Sequence, residues 1–395
     1  MPHYSTAKFR IFYFLLLLFI FFIPLSQQIS IKLLVVTCLF SLFVGDIREG
    51  LLIFFRDSWD TIFYLTILTL GLLYSENIAS GLKVLETNLC FLAVPIIFSR
   101  TRGFVKEQVN MLFYSFAAGL SLACLICLIH AGVTYSNTHD IQTFFFYNLT
   151  TILNFQPTYF AYYLIFTIGY AMYQFYYQDA VLNPYFNAAG ILFLFLVLML
   201  TGGQTAFVSM LLIFSFFVLK FITEQKNMKQ KILTGLIALM IAIMFFTTLL
   251  DKGKRELELN DAWDRLILWE SAMGANTNLL IGVGTGDSKI VLNKYYLAHN
   301  LEEFAKDSYN SHNQFIQLLL SNGLLGVFAL VLLIGRPLYL SARSQNMVGI
   351  LLFFPFLIYG ITEVFFYRYQ GVVFFAFLHQ FLITKLSAEK RTLPK

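Results

Sequence analysis

The chain has 395 residues, of which 58% are hydrophobic, 18% aromatic and 12% charged, with a formal net charge of +5. A soluble domain carries about a quarter charged residues, so there is too little polar surface here to solvate domains of this length. The mean hydropathy of +0.71 also excludes a disordered or fibrous chain. What remains is an integral membrane protein whose mild basic excess lacks the concentrated basic face of a nucleic-acid binder.

In chain order, Lys8 and Arg10 precede an apolar run over 11–23. No small-x-small cleavage pattern follows, so this run reads as a first anchor and not as a signal peptide. Apolar stretches long enough to cross a bilayer, roughly 17–25 residues, fall near 9–25, 29–45, 58–75, 81–98, 108–132, 157–178, 184–201, 203–222, 231–250, 312–334, 347–362 and 367–384. Their apolar character runs all round, which predicts helices and excludes a barrel. The expected fold is therefore an all-α integral membrane protein of about twelve transmembrane helices, a single polytopic domain over 1–395. Alternating the loops from a cytoplasmic N-terminus puts most of the 27 Lys and Arg residues inside, and leaves Lys32, Lys83 and Arg368 in short outer connections. That bias orients the chain with both termini cytoplasmic.

Polar sequence gathers in two outer segments, about 133–156 and 251–311. The second, between the ninth and tenth spans, opens on the charge run Asp251-Lys252-Gly253-Lys254-Arg255-Glu256. It continues with helical patterning over Asp261 to Glu270 and with glycine turns. A long segment with such patterning is expected to be folded and functional.

Three places at this outer edge can carry chemistry. Tyr309-Asn310-Ser311-His312-Asn313-Gln314-Phe315 leads into a span, where His312 can exchange a proton near neutral pH. The structural alternative is that His312 and Asn313 only satisfy free amides at the helix start. Ser321-Asn322-Gly323 puts polar groups in mid-span, which turns that helix toward protein rather than lipid. Arg265 stands one turn from Trp269 and offers a planar fork for phosphate or carboxylate, unless Asp261 or Asp264 pairs with it. Glu363 and Arg368, with Phe365-Phe366-Tyr367 between them, either join this site or simply pair at two helix ends.

Ile281-Gly282-Val283-Gly284-Thr285-Gly286-Asp287 invites a nucleotide-loop reading, but no strand precedes it and the Walker lysine is missing. A tight turn that brings backbone close to a neighbour fits better. Cys38, Cys90, Cys124 and Cys127 lie in apolar runs and read as packing residues, without disulfides. The six histidines are scattered without acidic partners at ligand spacing, so no metal site is expected.

Taken in order, these motifs resemble the O-antigen ligase family, whose C-terminal module is shared with many O-antigen polymerases. The matching pieces are Arg265-x-x-x-Trp269; Leu279-Leu280-Ile281-Gly282-Val283-Gly284-Thr285-Gly286-Asp287; Tyr309 to Phe315; Gly323-Leu324-Leu325-Gly326; and Thr362-Glu363 with Arg368-Tyr369-Gln370-Gly371. Pro157-Thr158-Tyr159 also looks like that family, so the resemblance covers about 157–385. Members usually carry a Ser-Arg pair before the basic inner loop. Here the stretch is Thr201-Gly202-Gly203-Gln204-Thr205, so Lys254, Arg255 or Arg368 supplies the missing cation or the donor site is altered.

The resemblance implies a GT-C-like, metal-independent inverting glycosyltransferase with no cofactor. It would face the periplasm from the bacterial inner membrane, within lipopolysaccharide biosynthesis. Its partners would be an undecaprenyl-diphosphate-linked glycan as donor and lipid A-core or another glycan as acceptor. His312 would be the base and Arg265 would hold the diphosphate. Gln204, Trp269, Tyr309, Asn313, Glu363 and Arg368 would bind substrate; Tyr296, Tyr309 and Trp269 would stack on sugar faces, although aromatic packing in the outer loop explains them equally well. A polymerase joining lipid-linked repeats shares this chemistry and differs in acceptor. A polysaccharide transporter is a reading of a different class, for which repeat-related halves and midplane polar sites are expected.

Overall fold

The structure is a computed structural model that describes residues 6–177, 183–224, 260–345 and 347–392. The expected ninth span at 231–250 and the charge run 251–256, with Lys254 and Arg255, lie outside the described residues. Every regular element among the described residues is helical.

Two compact units share the chain, residues 1–116 with 262–395, and residues 117–261. In the first unit, α1 (Ala7–Phe22), α2 (Gln27–Ser41), α3 (Ile47–Asp57), α4 (Trp59–Leu72), α5 (Ile78–Asn88) and α6 (Cys90–Phe98) precede α7 (Lys106–Thr138), which runs on into the second. The second holds α8 (Phe146–Thr150), α9 (Pro157–Tyr176), α10 (Pro184–Thr201) and α11 (Gln204–Glu224). The chain then forms α12 (Asn260–Gly274), α13 (Ser288–Ala298), α14 (Glu302–Lys306), α15 (Gln314–Arg343), α16 (Val348–Thr362) and α17 (Tyr369–Thr392). Among the described residues, four segments are long and apolar enough to cross a membrane: Ile78–Phe98, Lys106–Thr138, Gln204–Glu224 and Gln314–Arg343. Shorter apolar helices accompany them at Gln27–Ser41, Trp59–Leu72, Tyr185–Thr201 and Gly349–Thr362. The chain is a multi-pass membrane protein, helical in every regular element of its described residues.

Helix starts follow local chemistry. Ser26, Asp46, Asn77 and Asn183 each accept a backbone N–H as N-cap, and Pro157 and Pro184 open their helices where no N–H is needed. Gly202, at φ +73°, closes α10 in the left-handed conformation. Helix α3 was not among the expected elements. It carries Arg48, Glu49, Arg56 and Asp57 on eleven residues, so it is too short and too polar to stand out as a span.

Unit one is held by rings. Phe356 and Phe375 lie 4.5 Å apart between centroids, Phe91 and Phe366 5.1 Å, and Tyr64 and Phe366 5.6 Å. Tilted and edge-on contacts of this kind add about 0.5–1.5 kcal/mol each beyond area burial. Phe365 and Phe366 are buried, so the short turn Phe365–Tyr367 is pinned to the core while Glu363 and Arg368 stand at its two ends.

Helix α15 is broken at Gly323 (φ +63°, ψ −159°), and the glycine loop fills the break. The carbonyls of Leu320 and Ser321, freed by the kink, accept from Val283 N and Gly284 N at 2.9 Å each. In return Leu324 N and Leu325 N donate to the carbonyls of Leu279 and Leu280 at 2.8 and 3.3 Å. A Cβ on Gly323 would collide with the Leu280 backbone, and one on Gly282 (φ +74°) with that of Ser321 and Asn322. The glycines are thus required by close approach as well as by backbone conformation. Asn322, buried, donates to Thr285 Oγ1 at 2.9 Å. Asp287 accepts from Glu76 N and Asn77 N at 2.7 and 2.8 Å. The loop's amides therefore hold protein, as the turn reading expected, and are not free to cradle a phosphate.

Candidate functional site

Within the first unit, α12 and α13 pack against α15. Leu268, Ala272, Leu292, Tyr296 and Leu320 make the core of this contact, with Trp269 and Phe304 packed partly buried against it. Tyr296 is fully enclosed and donates from its hydroxyl to the Tyr309 carbonyl at 3.4 Å, so of its two readings the structure takes packing in the core over sugar stacking. Tyr309 is 40% exposed, and its ring centroid lies 5.8 Å from that of His312.

The stretch 310–317 resolves into separate roles. Asn313 is the N-cap of α15, accepting from Phe315 N at 2.9 Å and Ile316 N at 3.1 Å, a cap usually worth about 1 kcal/mol. Its carboxamide oxygen is thus occupied and its side chain buried, so it positions its neighbour where substrate contact was expected. Gln317 accepts from Ser311 N and Oγ and donates to Ser288 Oγ at 3.2 Å. Gln314, also buried, accepts from Phe366 N at 2.8 Å, which ties the mouth of α15 to the turn between Glu363 and Arg368.

His312 is left over from this network. Its backbone sits at φ +44°, a conformation that costs a non-glycine residue energy and persists where its surroundings impose it. Here the imposing contacts are Asn310 Oδ1, which accepts from His312 N at 2.8 Å, and the capped turn that follows. The ring caps nothing. Its Nδ1 lies 3.7 Å from Glu363 Oε2, with side-chain exposures of 30% and 17%.

Arg265 reaches both groups electrostatically. Burial, and then the Arg265 charge, lower the His312 pKa below its usual value, so the imidazole is neutral at pH 7. Burial raises the Glu363 carboxyl to about 7, against the opposing pull of Arg265 and Arg368. His312, Glu363, Arg265 and Arg368 thus form one electrostatic group, from helices and turns up to 103 residues apart in sequence (265 to 368). Trp269, a turn from Arg265, keeps its indole N–H enclosed without a hydrogen-bond partner among the described residues. Gln204 belongs to the other unit, exposed on the first turn of α11. The arrangement offers a neutral base, a carboxyl close to its midpoint and two cations.

A second polar cluster escaped the sequence reading. Asp60 on α4, fully buried, receives Arg336 Nη1 on Oδ1 and faces His379 Nε2 with Oδ2, each at 2.7 Å. Gln380 Nε2 meets His379 Nδ1 at 3.1 Å, and Arg336 also donates to the Asp57 carbonyl at 2.7 Å. No motif flags a pair separated by 319 residues. The available signal was an aspartate and a histidine inside apolar runs.

No curated protein matches the chain. Residues 189–331 match the family model described as O-Antigen ligase. This stretch, a little over a third of the chain, contains Arg265, Trp269, the glycine loop, His312 and the break in α15.

Proposed function

We propose that the chain is a periplasm-facing, inverting glycosyltransferase of the inner membrane. It moves a glycan from undecaprenyl diphosphate to an acceptor hydroxyl, by preference a sugar of lipid A-core. The observation that carries this reading is the group of His312, Glu363 and Arg265, a neutral base beside a carboxyl with a cation acting on both. The acceptor oxygen attacks the anomeric carbon as the bond to the diphosphate oxygen breaks. The electron pair leaves on the diphosphate, and the acceptor's proton goes to His312. Arg265 holds the charge that grows on the leaving group, and Glu363, once ionised, stabilises the imidazolium. Arg368 assists donor binding, and Tyr309 offers a face to sugar. Arginine supplies the charge neutralisation, so the displacement needs no metal.

A polymerase joining two lipid-linked repeats would use the same atoms with a different acceptor. A deletion strain separates the two. Ligation predicts core without long glycan and accumulated lipid-linked polymer, whereas polymerisation predicts single-repeat products. His312→Ala should reproduce the deletion with the protein still in the membrane; normal glycan attachment in that strain overturns the role of His312.

A further inference from the structure

Unit two carries a pocket of its own at the far end of α7. At about 1.5 Å per residue, 33 residues extend about 50 Å, longer than a hydrocarbon core of about 30 Å. A helix of this length outruns the core, and its polar end is Thr134–Thr138, opposite Lys106. There His130, Thr134, Thr138, Asp140, Thr143, Asn148 and Thr151 line a pocket of about 290 Å³. With a water's share of liquid near 30 Å³, that is room for roughly ten waters, about one sugar ring.

The lining has a directional chemistry. Thr134, Thr138 and Thr151 donate their hydroxyl protons to the carbonyls of His130, Thr134 and Tyr147, at 2.9, 2.9 and 2.7 Å. Thr143 donates to the Ala131 carbonyl at 3.4 Å, and the Asn148 amide to that of Gln142 at 3.1 Å. The threonine protons are engaged and acceptor lone pairs remain, one on Thr138 taken by Asp140 N at 3.3 Å, while Asn148 keeps a second amide proton. Asp140 adds a carboxylate of which Oδ1 receives Gln142 N at 2.9 Å, leaving Oδ2 open. His130 Nδ1 is enclosed and has no hydrogen-bond partner among the described residues. None of the lining residues is Lys or Arg.

A wall of acceptors with a carboxylate and no cation repels phosphate, which brings only acceptors of its own. It suits a ligand rich in O–H donors. The same segment presents Tyr147 and Tyr135, 55% and 39% exposed, as apolar faces beside polar groups, the pairing a sugar ring needs. Its backbone is held in unusual conformations at His139 (φ +53°), Phe146 (φ +52°) and Asn154 (φ +50°), which fits a shaped site.

We propose that this pocket binds a neutral sugar residue, as a subsite separate from the diphosphate-binding chemistry around Arg265. The proposal rests on the glycan-transfer reading only for the source of that sugar.

The test is saturation-transfer NMR on the detergent-solubilised full chain, with methyl α-glucopyranoside and N-acetylglucosamine as probes and inorganic pyrophosphate as competitor. The expected result is transfer to at least one sugar. That transfer should fall at least threefold in Thr134→Trp, which fills the pocket, and in Asp140→Asn, which leaves its shape, and should persist under pyrophosphate. Absence of transfer in the wild type, equal transfer in both variants, or displacement by pyrophosphate overturns the proposal. An active His312→Ala enzyme would sink the glycan-transfer mechanism and leave this binding result untouched.

Discussion

Helix α15 has a polar cluster near each end, and the two are built on opposite plans. Gln314 and Arg336 are 22 residues apart, about 30 Å along a helix, the thickness of a hydrocarbon core. At the Arg336 end, Asp60 has both oxygens at 2.7 Å from partners and no exposure. At the Gln314 end, His312 and Glu363 stop at 3.7 Å, stay partly open, and burial shifts each toward its uncharged form. A buried charge without a full set of partners is costly. The closed cluster meets that condition and so joins α4, α15 and α17. The open one leaves its hydrogen-bonding capacity to something else, which is what a substrate site requires.

The contrast breaks first at the closed end. Asp60→Ala leaves Arg336 without its counter-charge and His379 without its hydrogen-bond partner, and should destabilise the protein by about 3–5 kcal/mol, read as thermal unfolding in detergent. Retained stability would mean that the cluster is not the joint described. Exchanging all three residues for apolar ones of similar volume should recover most of the loss.

At the open end, Arg265→Ala should lower transfer about 10²–10³-fold, in the range of a lost transition-state donor, with little change in melting temperature. Equal losses of stability at the two ends would erase the distinction between them.

Acidity gives a finer test. The folded Glu363 pKa of about 7 lies above its ordinary value of 4.5. Between these values the folded protein holds a proton that the unfolded chain has released, so this group's contribution to stability falls as pH rises through that window. Glu363→Gln should flatten that slope. It should also remove an acid limb near pH 7 from the rate profile and leave the His312 limb below 6.5. An unchanged profile would detach Glu363 from the reaction.

The smallest effect is expected from Asn313→Ala, about 1 kcal/mol of stability from the lost cap. A modest fall in rate should accompany it as the turn holding His312 loosens. A rate loss as large as that of Arg265→Ala, with stability intact, would make Asn313 a substrate ligand after all.

How much of this was readable from sequence differs by element. Long apolar runs announced α7, α11 and α15 because composition alone decides them. Helix α3 stayed hidden because its charges mask an amphipathic turn. The overshoot of α7 to Thr138 was hidden in a polar Thr-Tyr-Ser-Asn-Thr end that reads as loop. The glycine loop was legible as a tight turn, whereas its partner, the break at Gly323, was hinted at only by Ser321-Asn322-Gly323 in mid-span. Motif order pointed to His312, Arg265, Glu363 and Arg368. What it could not supply was their proximity, which comes from buried Gln314 and Phe366 drawing the α16–α17 turn to the mouth of α15. The division of labour between Asn313 and His312 was likewise open, since either can cap a helix and only geometry assigns the role.

The central claim is that His312 takes the acceptor's proton. It is tested most directly by the transfer rate of purified His312→Ala, with lipid-linked donor and acceptor supplied at saturation and protein matched by folded amount. The account expects kcat at least about 10²-fold below wild type, the scale of general-base catalysis, with donor binding unchanged. A kcat within a few-fold of wild type would contradict it.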